Sequence, residues 1–223
     1  DTLIDRSGSF RRWATEFVTA HDGSPRDLEW LIAADRRGHE DRCRLAELIT
    51  ARFGLPDHAV LASTLRDGQI EHLVLDDAVP AALDEARDEG WVPFVVTNGD
   101  VRQQERKLAA TGLDAYVDGW VISEGVGLRK PDPEIFRLAA RRAGRPLDGA
   151  WMIGDTADAD IAGAVNAGID SIWLSLGRQW DSTAFRPTRT AATFPEAVRD
   201  LLAAGSLPGE RCTTQQRLRV VQH

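Results

Sequence analysis

The hydrophobic pattern of this chain changes near Trp91, and this change constrains the fold more than any other feature. From about Phe10 to Arg66, apolar residues recur every three or four positions, a spacing that predicts amphipathic helices. After Trp91, short apolar segments of strand type alternate with helical segments. Such alternation is typical of βαβ units, whose parallel strands form a sheet covered by helices on both faces. We therefore predict an α/β core that follows a helical insert.

The pattern also sets the boundaries of these parts. We predict an α/β core over residues 1–9 and 78–205, a helical domain over 10–77, and a polar C-terminal tail over 206–223. The strands of the core are predicted at the segments VPFVV (92–96), YVDGWVI (116–122), AWMIG (150–154) and DSIWLSL (170–176).

Composition excludes several classes of protein. The 223 residues are 43% hydrophobic and 28% charged, a globular balance that excludes a disordered or fibrous chain. No segment approaches the roughly 20 apolar residues of a membrane span. The net charge of −8 argues against a protein that binds nucleic acid or an anionic membrane through bulk charge. Two cysteines exclude a disulfide framework.

Polar residues follow the first predicted strand. In an open parallel sheet, ligands bind beyond the carboxyl ends of the strands. The segment VPFVV ends in Thr97, Asn98 and Gly99, so a hydroxyl and exposed backbone N–H groups lie where a phosphate oxygen could bind. Asp100 can then cap the next helix. A plain strand–turn–helix junction is the alternative interpretation.

Lysine is rare in this chain, and one lysine lies at a rigid turn. Of the 27 basic residues, only Lys107 and Lys130 are lysines. Pro131 disfavours a helical backbone at Lys130, while Asp132 and Pro133 have the residue types of a helix N-cap and first helical position. An ammonium held there suits a phosphoryl oxygen or a carboxylate nucleophile. The alternative is an exposed lysine beside a well-capped helix.

A cluster of carboxylates follows the segment AWMIG. Asp155 lies at the carboxyl end of this strand, and Asp158 and Asp160 follow within one turn of the next helix. Carboxylates this close repel one another unless a cation or the helix N-terminus compensates. Oxygen ligands favour a hard cation, so we interpret Asp155 as a ligand of Mg²⁺. We interpret Asp158 as a residue that only favours the helix dipole.

The ordered set of three motifs resembles the haloacid dehalogenase-like hydrolase superfamily. The motifs are TNG at 97–99, KPDPEIF at 130–136 and GDTADADIAGAVNAG at 154–168, and the resemblance extends over about Asp1–Leu202. It implies a Rossmann-like parallel sheet with an inserted α-helical cap domain. Dehalogenases of the superfamily lack the Gly-Asp acidic motif, so the resemblance is to its Mg²⁺-dependent phosphatases.

The resemblance also implies roles for individual residues. Asp155 would bind Mg²⁺, with Asp160 as a supporting acidic residue of the metal site. Lys130 would steady the nucleophile and the phosphate. Thr97 would bind phosphate with its hydroxyl and would also be catalytic. Asn98 and Gly99, which follow it, are our further candidates for binding the substrate.

The helical insert contains one polar segment of interest. Asp35-Arg36-Arg37-Gly38-His39 interrupts the helical pattern. Arg37 and His39 are our candidates for binding the leaving group of the substrate.

The beginning of the chain departs from the superfamily pattern, an apolar strand followed by Asp-x-Asp-x-Thr. Thr2 fits the threonine and Asp1 the variable position before it. We therefore expect the nucleophile and the acid/base aspartate, with a central strand of the sheet, to precede Asp1 in a longer natural protein. The 223-residue chain by itself is expected to be inactive.

These inferences predict an Mg²⁺-dependent phosphomonoesterase that acts on a small phosphorylated metabolite through an aspartyl-phosphate intermediate. A phosphoglucomutase-type phosphotransferase on the same scaffold and a non-catalytic α/β binding protein are the alternatives. We expect a cytoplasmic monomer or homodimer that has neither nucleic acid nor a membrane as its partner.

Overall fold

The computed structural model describes residues 1–38, 40–67, 70–205 and 217–221. The chain divides into two compact units. Asp5–Val74 form a helical unit, and Asp1–Ile4 together with Leu75–His223 form an α/β unit.

The described residues of the helical unit form four α-helices around one apolar core. They are α1 (Arg6–Ala20), α2 (Pro25–Ala34), α3 (Arg42–Phe53) and α4 (His58–Asp67), with short 3₁₀ turns at Arg36–Gly38 and Ile70–His72. The core residues recur at helical spacing along each sequence segment, as the periodicity predicts. They include Phe10, Trp13, Leu31, Leu45, Ile49 and Leu65.

Local sequence sets the ends of these helices. Asp41 caps α3, because its carboxylate accepts the N–H groups of Cys43 and Arg44 at 3.0 Å. Gly54 ends the same helix at a φ of +66°, a conformation that glycine adopts without steric cost.

In the part of the α/β unit that the structure describes, six strands form a parallel sheet that packs with helices. The strands are β1 (Trp91–Thr97), β2 (Trp120–Ile122), β3 (Trp151–Gly154), β4 (Asp170–Leu174), β5 (Arg189–Ala191) and β6 (Arg217–Val221). Their order across the sheet is β2-β1-β6-β3-β4-β5, and every pairing is parallel. The helices are α5 (Ala78–Asp88), α6 (Val101–Thr111), α7 (Ser123–Val126), α8 (Pro133–Arg142), α9 (Ala162–Ala167) and α10 (Phe194–Gly205). None of the described helices is long and apolar enough to cross a membrane.

The core of this unit explains why the strands read as continuous apolar segments. All seven residues of β1 and all four of β3 are buried. Phe94, Val96 and Met152 pack with Phe136 of α8 in one cluster. Strands of a parallel sheet are covered on both faces, so they lack the polar alternation of half-exposed strands.

The middle of the sheet differs from the prediction. Within the predicted tail 206–223, residues Arg217–Val221 form strand β6 between β1 and β3. Val221 pairs with both Val95 and Ile153. The backbone groups of two buried strands need partners, and the segment RLRVV ends in β-branched residues that suit a strand. In this structure β6 therefore supplies hydrogen-bond partners to both β1 and β3.

Smaller differences concern the ends of elements. The predicted strand 116–122 is reduced to Trp120–Ile122, and Tyr116 belongs instead to a 3₁₀ turn over Leu113–Tyr116. Asp160 belongs to a π-helical turn over Ala157–Ile161 that precedes α9. The short strand β5 has no clear sequence signal.

Candidate active site at the carboxyl edge of the sheet

Lys130 is a buried lysine at the carboxyl edge of the sheet. Only 1% of the residue is exposed. Its Nζ donates to the carbonyl oxygen of Val96 in β1 at 2.6 Å and lies 2.8 Å from Oδ1 of Asp160. The interpretation as an exposed lysine is therefore excluded. The ammonium links the end of β1 to the turn after β3, two strands separated by β6 in the sheet.

The turn that carries Lys130 is fixed from both sides. Asp132 caps α8 by accepting the N–H of Glu134 at 2.9 Å, and Pro133 is the first residue of this helix, as the sequence predicts. Asn98 accepts the Lys130 N–H and donates to the Lys130 carbonyl oxygen, both at 2.9 Å. Asn98, predicted to bind phosphate, thus contacts the backbone of Lys130 with both ends of its amide.

Asp160 is the counterion of Lys130. Its side chain has no exposed surface, and its Oδ2 accepts the N–H of Thr156 at 2.8 Å. The absence of a side chain at Gly154 makes room for it, because a β-carbon there would collide with the Asp160 carboxylate. Burial raises the pKa of Asp160, while Lys130 and the Thr156 N–H oppose this effect. The structure therefore places the predicted supporting residue of the metal site in an ion pair with the predicted catalytic lysine.

Thr97 and Gly99 lie at the carboxyl end of β1. Thr97 is the last residue of the strand and is 1% exposed. The N–H of Gly99, predicted to bind phosphate, donates to Oγ of Ser123 at 3.0 Å. Asp100 caps α6 by accepting the N–H of Gln103 at 2.8 Å. The junction thus begins a capped helix, and it also brings Asn98 to Lys130.

Asp155 follows β3 and is 6% exposed. Its Oδ1 accepts a hydrogen bond from the Thr2 hydroxyl at 3.1 Å and lies 3.5 Å from the amino nitrogen of Asp1. Its Oδ2 lies 3.6 Å from Nη2 of Arg178. The first residues of the chain therefore lie at the same edge of the sheet as the predicted metal ligand.

A magnesium ion at this edge of the sheet would need oxygen ligands from the protein. Among the described residues, no group of three or more histidine, cysteine, aspartate or glutamate residues is arranged to hold a metal. Asp160 is paired with Lys130 at 2.8 Å. The charged nitrogens of Asp1 and Arg178 lie farther from Asp155, at 3.5 and 3.6 Å, so Asp155 is the candidate metal ligand of the two. Magnesium is usually bound by one or two carboxylates together with water and substrate phosphate oxygens. Asp155 fits a site of this kind, in which the protein supplies few of the ligands.

The predicted leaving-group residues belong to the helical unit. Arg36, Arg37 and Gly38 form a turn with φ values of +48°, +57° and +86°. Left-handed backbone is costly for residues that carry a β-carbon, so two successive arginines in it need support from their surroundings. His39 lies outside the described residues.

Asp35 supplies that support. It is 2% exposed, and its carboxylate accepts two hydrogen bonds from Arg6 at 2.7 and 2.8 Å, one from Arg42 at 2.6 Å and one from the N–H of Gly38 at 2.8 Å. Burial lowers the pKa of the Arg42 guanidinium, and Asp35 opposes this effect. These contacts hold the turn that presents Arg37.

Sequence reasoning missed four residues of these sites. Arg178 contacts Asp155, Ser123 contacts Gly99, and Asp35 and Arg42 pair in the helical unit. Arg178 and Ser123 are distant from their partners in sequence and follow no motif that we identified. A partial signal was available for Asp35, since a carboxylate at the end of an apolar helix pattern is buried only when it is paired, although its partners Arg6 and Arg42 are not its neighbours in the sequence.

The fold and the site define an α/β protein with a buried lysine–aspartate pair and a second buried aspartate, Asp155, at the carboxyl edge of a parallel sheet. A profile described as haloacid dehalogenase-like hydrolase matches residues 4–168. The chain belongs to this family.

Individual relatives are similar over part of their length. The pyrimidine 5'-nucleotidase YjjG of Escherichia coli is 40% identical over 103 residues, which are 46% of each chain. The phosphoserine phosphatase of Thermus thermophilus is 38% identical over 97 residues, 44% of this chain and 39% of the relative. The chain thus spans about half or less of the length of the curated relatives it matches.

A solved structure supports the fold. The HAD-hydrolase YfnB from Bacillus subtilis, determined with bound magnesium, superposes with a TM-score of 0.69 at 21% identity. The match covers 89% of this chain and 93% of the other. At this identity, the similarity concerns the architecture only.

Proposed function

We propose that the protein is an Mg²⁺-dependent phosphomonoesterase that acts on a small phosphorylated metabolite. The buried Lys130–Asp160 pair beside Asp155 is the observation that carries this proposal. A buried charge pair is costly to desolvate and often marks a functional site. The relatives named as a nucleotidase and a phosphatase support the same type of reaction.

In this proposal, Lys130 provides the positive charge. An ammonium group has three donors, and Val96 and Asp160 account for two of them. The third can donate to a phosphoryl oxygen or to an attacking carboxylate. Because Asp160 and Asn98 hold Lys130 in place, this donor needs little reorganisation when charge develops on the phosphoryl group.

Asp155 would hold the magnesium ion, and Thr97 would bind phosphate with its hydroxyl. Bound Mg²⁺ neutralises negative charge on the phosphoryl oxygens. Asp160 would act through Lys130, since it is the counterion of that ammonium.

We propose that the aspartate nucleophile precedes Asp1 in the full-length protein. The amino nitrogen of Asp1 is 3.5 Å from Oδ1 of Asp155, so a residue joined to it would begin at this edge of the sheet. The nucleophile would attack phosphorus, the ester P–O bond would break, and the leaving oxygen would take a proton from the acid aspartate. Water would then hydrolyse the aspartyl phosphate to inorganic phosphate.

The test compares substitutions of two aspartates that follow β3, Asp155 and Asp158, in the full-length protein. Asp155→Asn should reduce Mg²⁺-stimulated hydrolysis of an aryl phosphate to background, because the amide is a poor ligand for a hard cation. Asp158→Asn is the matched control, because Asp158 is exposed in the turn Ala157–Ile161 that follows Asp155, and its replacement should leave the rate unchanged.

Undiminished hydrolysis in the Asp155 variant would remove this residue from the site. An unsubstituted full-length protein that binds phosphate esters without hydrolysing them would instead support the non-catalytic alternative. Transfer of the phosphoryl group to a sugar phosphate would identify the phosphotransferase.

A further inference from the structure

The turn after β4 brings an arginine back over the ends of two strands. Leu176 and Gly177 have φ values of +48° and +79°, so the backbone reverses immediately after Ser175. The Ser175 carbonyl oxygen accepts the N–H of Arg178 at 2.9 Å and closes the turn. Arg178 therefore lies against the carboxyl end of β4, the strand that precedes this turn.

The Arg178 guanidinium contacts three carbonyl oxygens. Its Nε donates to Ser175 at 3.0 Å, and its Nη2 donates to Leu174 at 3.0 Å and to Asp155 at 2.7 Å. Leu174 ends β4, and Asp155 directly follows β3. The side chain thus ties the carboxyl ends of two adjacent strands together.

Asp155 is held from this side by a second donor. Nε1 of Trp173 donates to the same Asp155 carbonyl oxygen at 3.1 Å. Cζ of Arg178 lies over the Trp173 ring, 5.3 Å from the ring centroid, within range of a cation–π contact. The Asp155 carboxylate itself lies 3.6 Å from Nη2, beyond hydrogen-bond distance. Arg178 therefore contacts the backbone of Asp155 through a hydrogen bond and its carboxylate through an ion pair.

We propose that Arg178 is the positioning residue of Asp155, fixing the backbone from which this carboxylate reaches the metal. This inference rests on the proposed function, in which Asp155 holds Mg²⁺. Partners that orient a ligand contribute to metal affinity although they do not touch the metal. The fork of the guanidinium is essential, because a single ammonium cannot reach the carbonyl oxygens of Ser175 and Asp155 with the same geometry.

The experiment uses the full-length protein with Arg178→Lys and Arg178→Ala. Binding of Mg²⁺ is measured by calorimetry without substrate, and the half-saturating Mg²⁺ concentration is measured in aryl phosphate hydrolysis. Both variants should bind Mg²⁺ about 10- to 100-fold more weakly, the range found when such partners are removed. At saturating Mg²⁺, the KM for the aryl phosphate should change little, because Arg178 is not proposed to contact it.

Arg141→Lys and Arg141→Ala are the matched controls. Arg141 is exposed in the last turn of α8, and its replacement should leave Mg²⁺ binding unchanged. Thermal denaturation of each variant separates loss of the fold from loss of the metal.

Three results would overturn the inference. Unchanged Mg²⁺ binding in both Arg178 variants would assign Arg178 to stability alone, even if the melting temperature falls. If Arg178→Lys binds Mg²⁺ as tightly as the unsubstituted protein and Arg178→Ala binds it weakly, the effect is due to the positive charge at this position and not to the position of the Asp155 backbone. Absence of both Mg²⁺ binding and hydrolysis in the unsubstituted protein would overturn the proposed function itself. If the unsubstituted protein is active and the Arg178 variants bind Mg²⁺ as it does, only the role of Arg178 is overturned.

Discussion

Lys130→Met should destabilise the α/β unit strongly, because it leaves a buried carboxylate without its counterion. The side chains of Lys130 and Asp160 both have no exposed surface, and their charged atoms lie 2.8 Å apart. Removal of one partner of such a pair costs about 3–5 kcal/mol. For a chain of this size that cost corresponds to a decrease in melting temperature of roughly 6–20 °C.

A double-mutant cycle distinguishes this ion pair from general packing. Asp160→Asn alone should also be destabilising, whereas Lys130→Met/Asp160→Asn should cost less than the sum of the single changes. The expected coupling is about 2–3 kcal/mol, at the upper end for residues in direct contact. Urea unfolding followed by tryptophan fluorescence is suitable, since five of the seven tryptophans belong to the α/β unit. Additive costs would refute the reasoning.

Lys130→Arg tests whether a compact ammonium is required. The guanidinium is larger and planar, and extra volume in a fully buried position costs about 1–3 kcal/mol. In full-length protein, turnover of an aryl phosphate should fall by about 10²-fold or more, the scale for loss of one preorganised electrostatic group. Lys107→Arg, in the half-buried middle of α6, is the control and should retain activity. Full activity in both variants would contradict the assigned role.

Two further predictions concern other parts of the molecule. Arg37→Ala and His39→Ala should change the ratio of kcat/KM among phosphorylated substrates more than they change hydrolysis of a small aryl phosphate. An equal decrease in kcat/KM for every substrate would show that Arg37 and His39 do not select the leaving group. Gly154→Ala should lower stability by about 1–3 kcal/mol, because its β-carbon would collide with the Asp160 carboxylate; an unchanged melting temperature would contradict this packing.

The sequence determined the local features of the site. Hydrophobic periodicity predicted helices followed by a parallel α/β core, because helix and strand periods are properties of neighbouring residues. The residue types before and at the start of α8 predicted its first turn and hence the rigid position of Lys130. The three ordered motifs were sufficient for the family, which the match over residues 4–168 confirms.

Only the tertiary structure decided which distant groups meet. Lys130 pairs with Asp160 and binds Val96, Asn98 holds the Lys130 backbone, and Arg178 reaches Asp155. These contacts depend on how the strand ends line up across the sheet, and no local pattern specifies that register.

The central strand β6 is the clearest case in which the local sequence does not predict the pairing. Arg217–Val221 lie in a segment that is polar on average and predicted to be a tail, yet this strand pairs with both β1 and β3. Which segment forms the strand between β1 and β3 depends on which segments of the chain can pair with the backbone groups of these two buried strands. This pairing involves the whole fold, so composition and periodicity of one short segment do not determine its outcome.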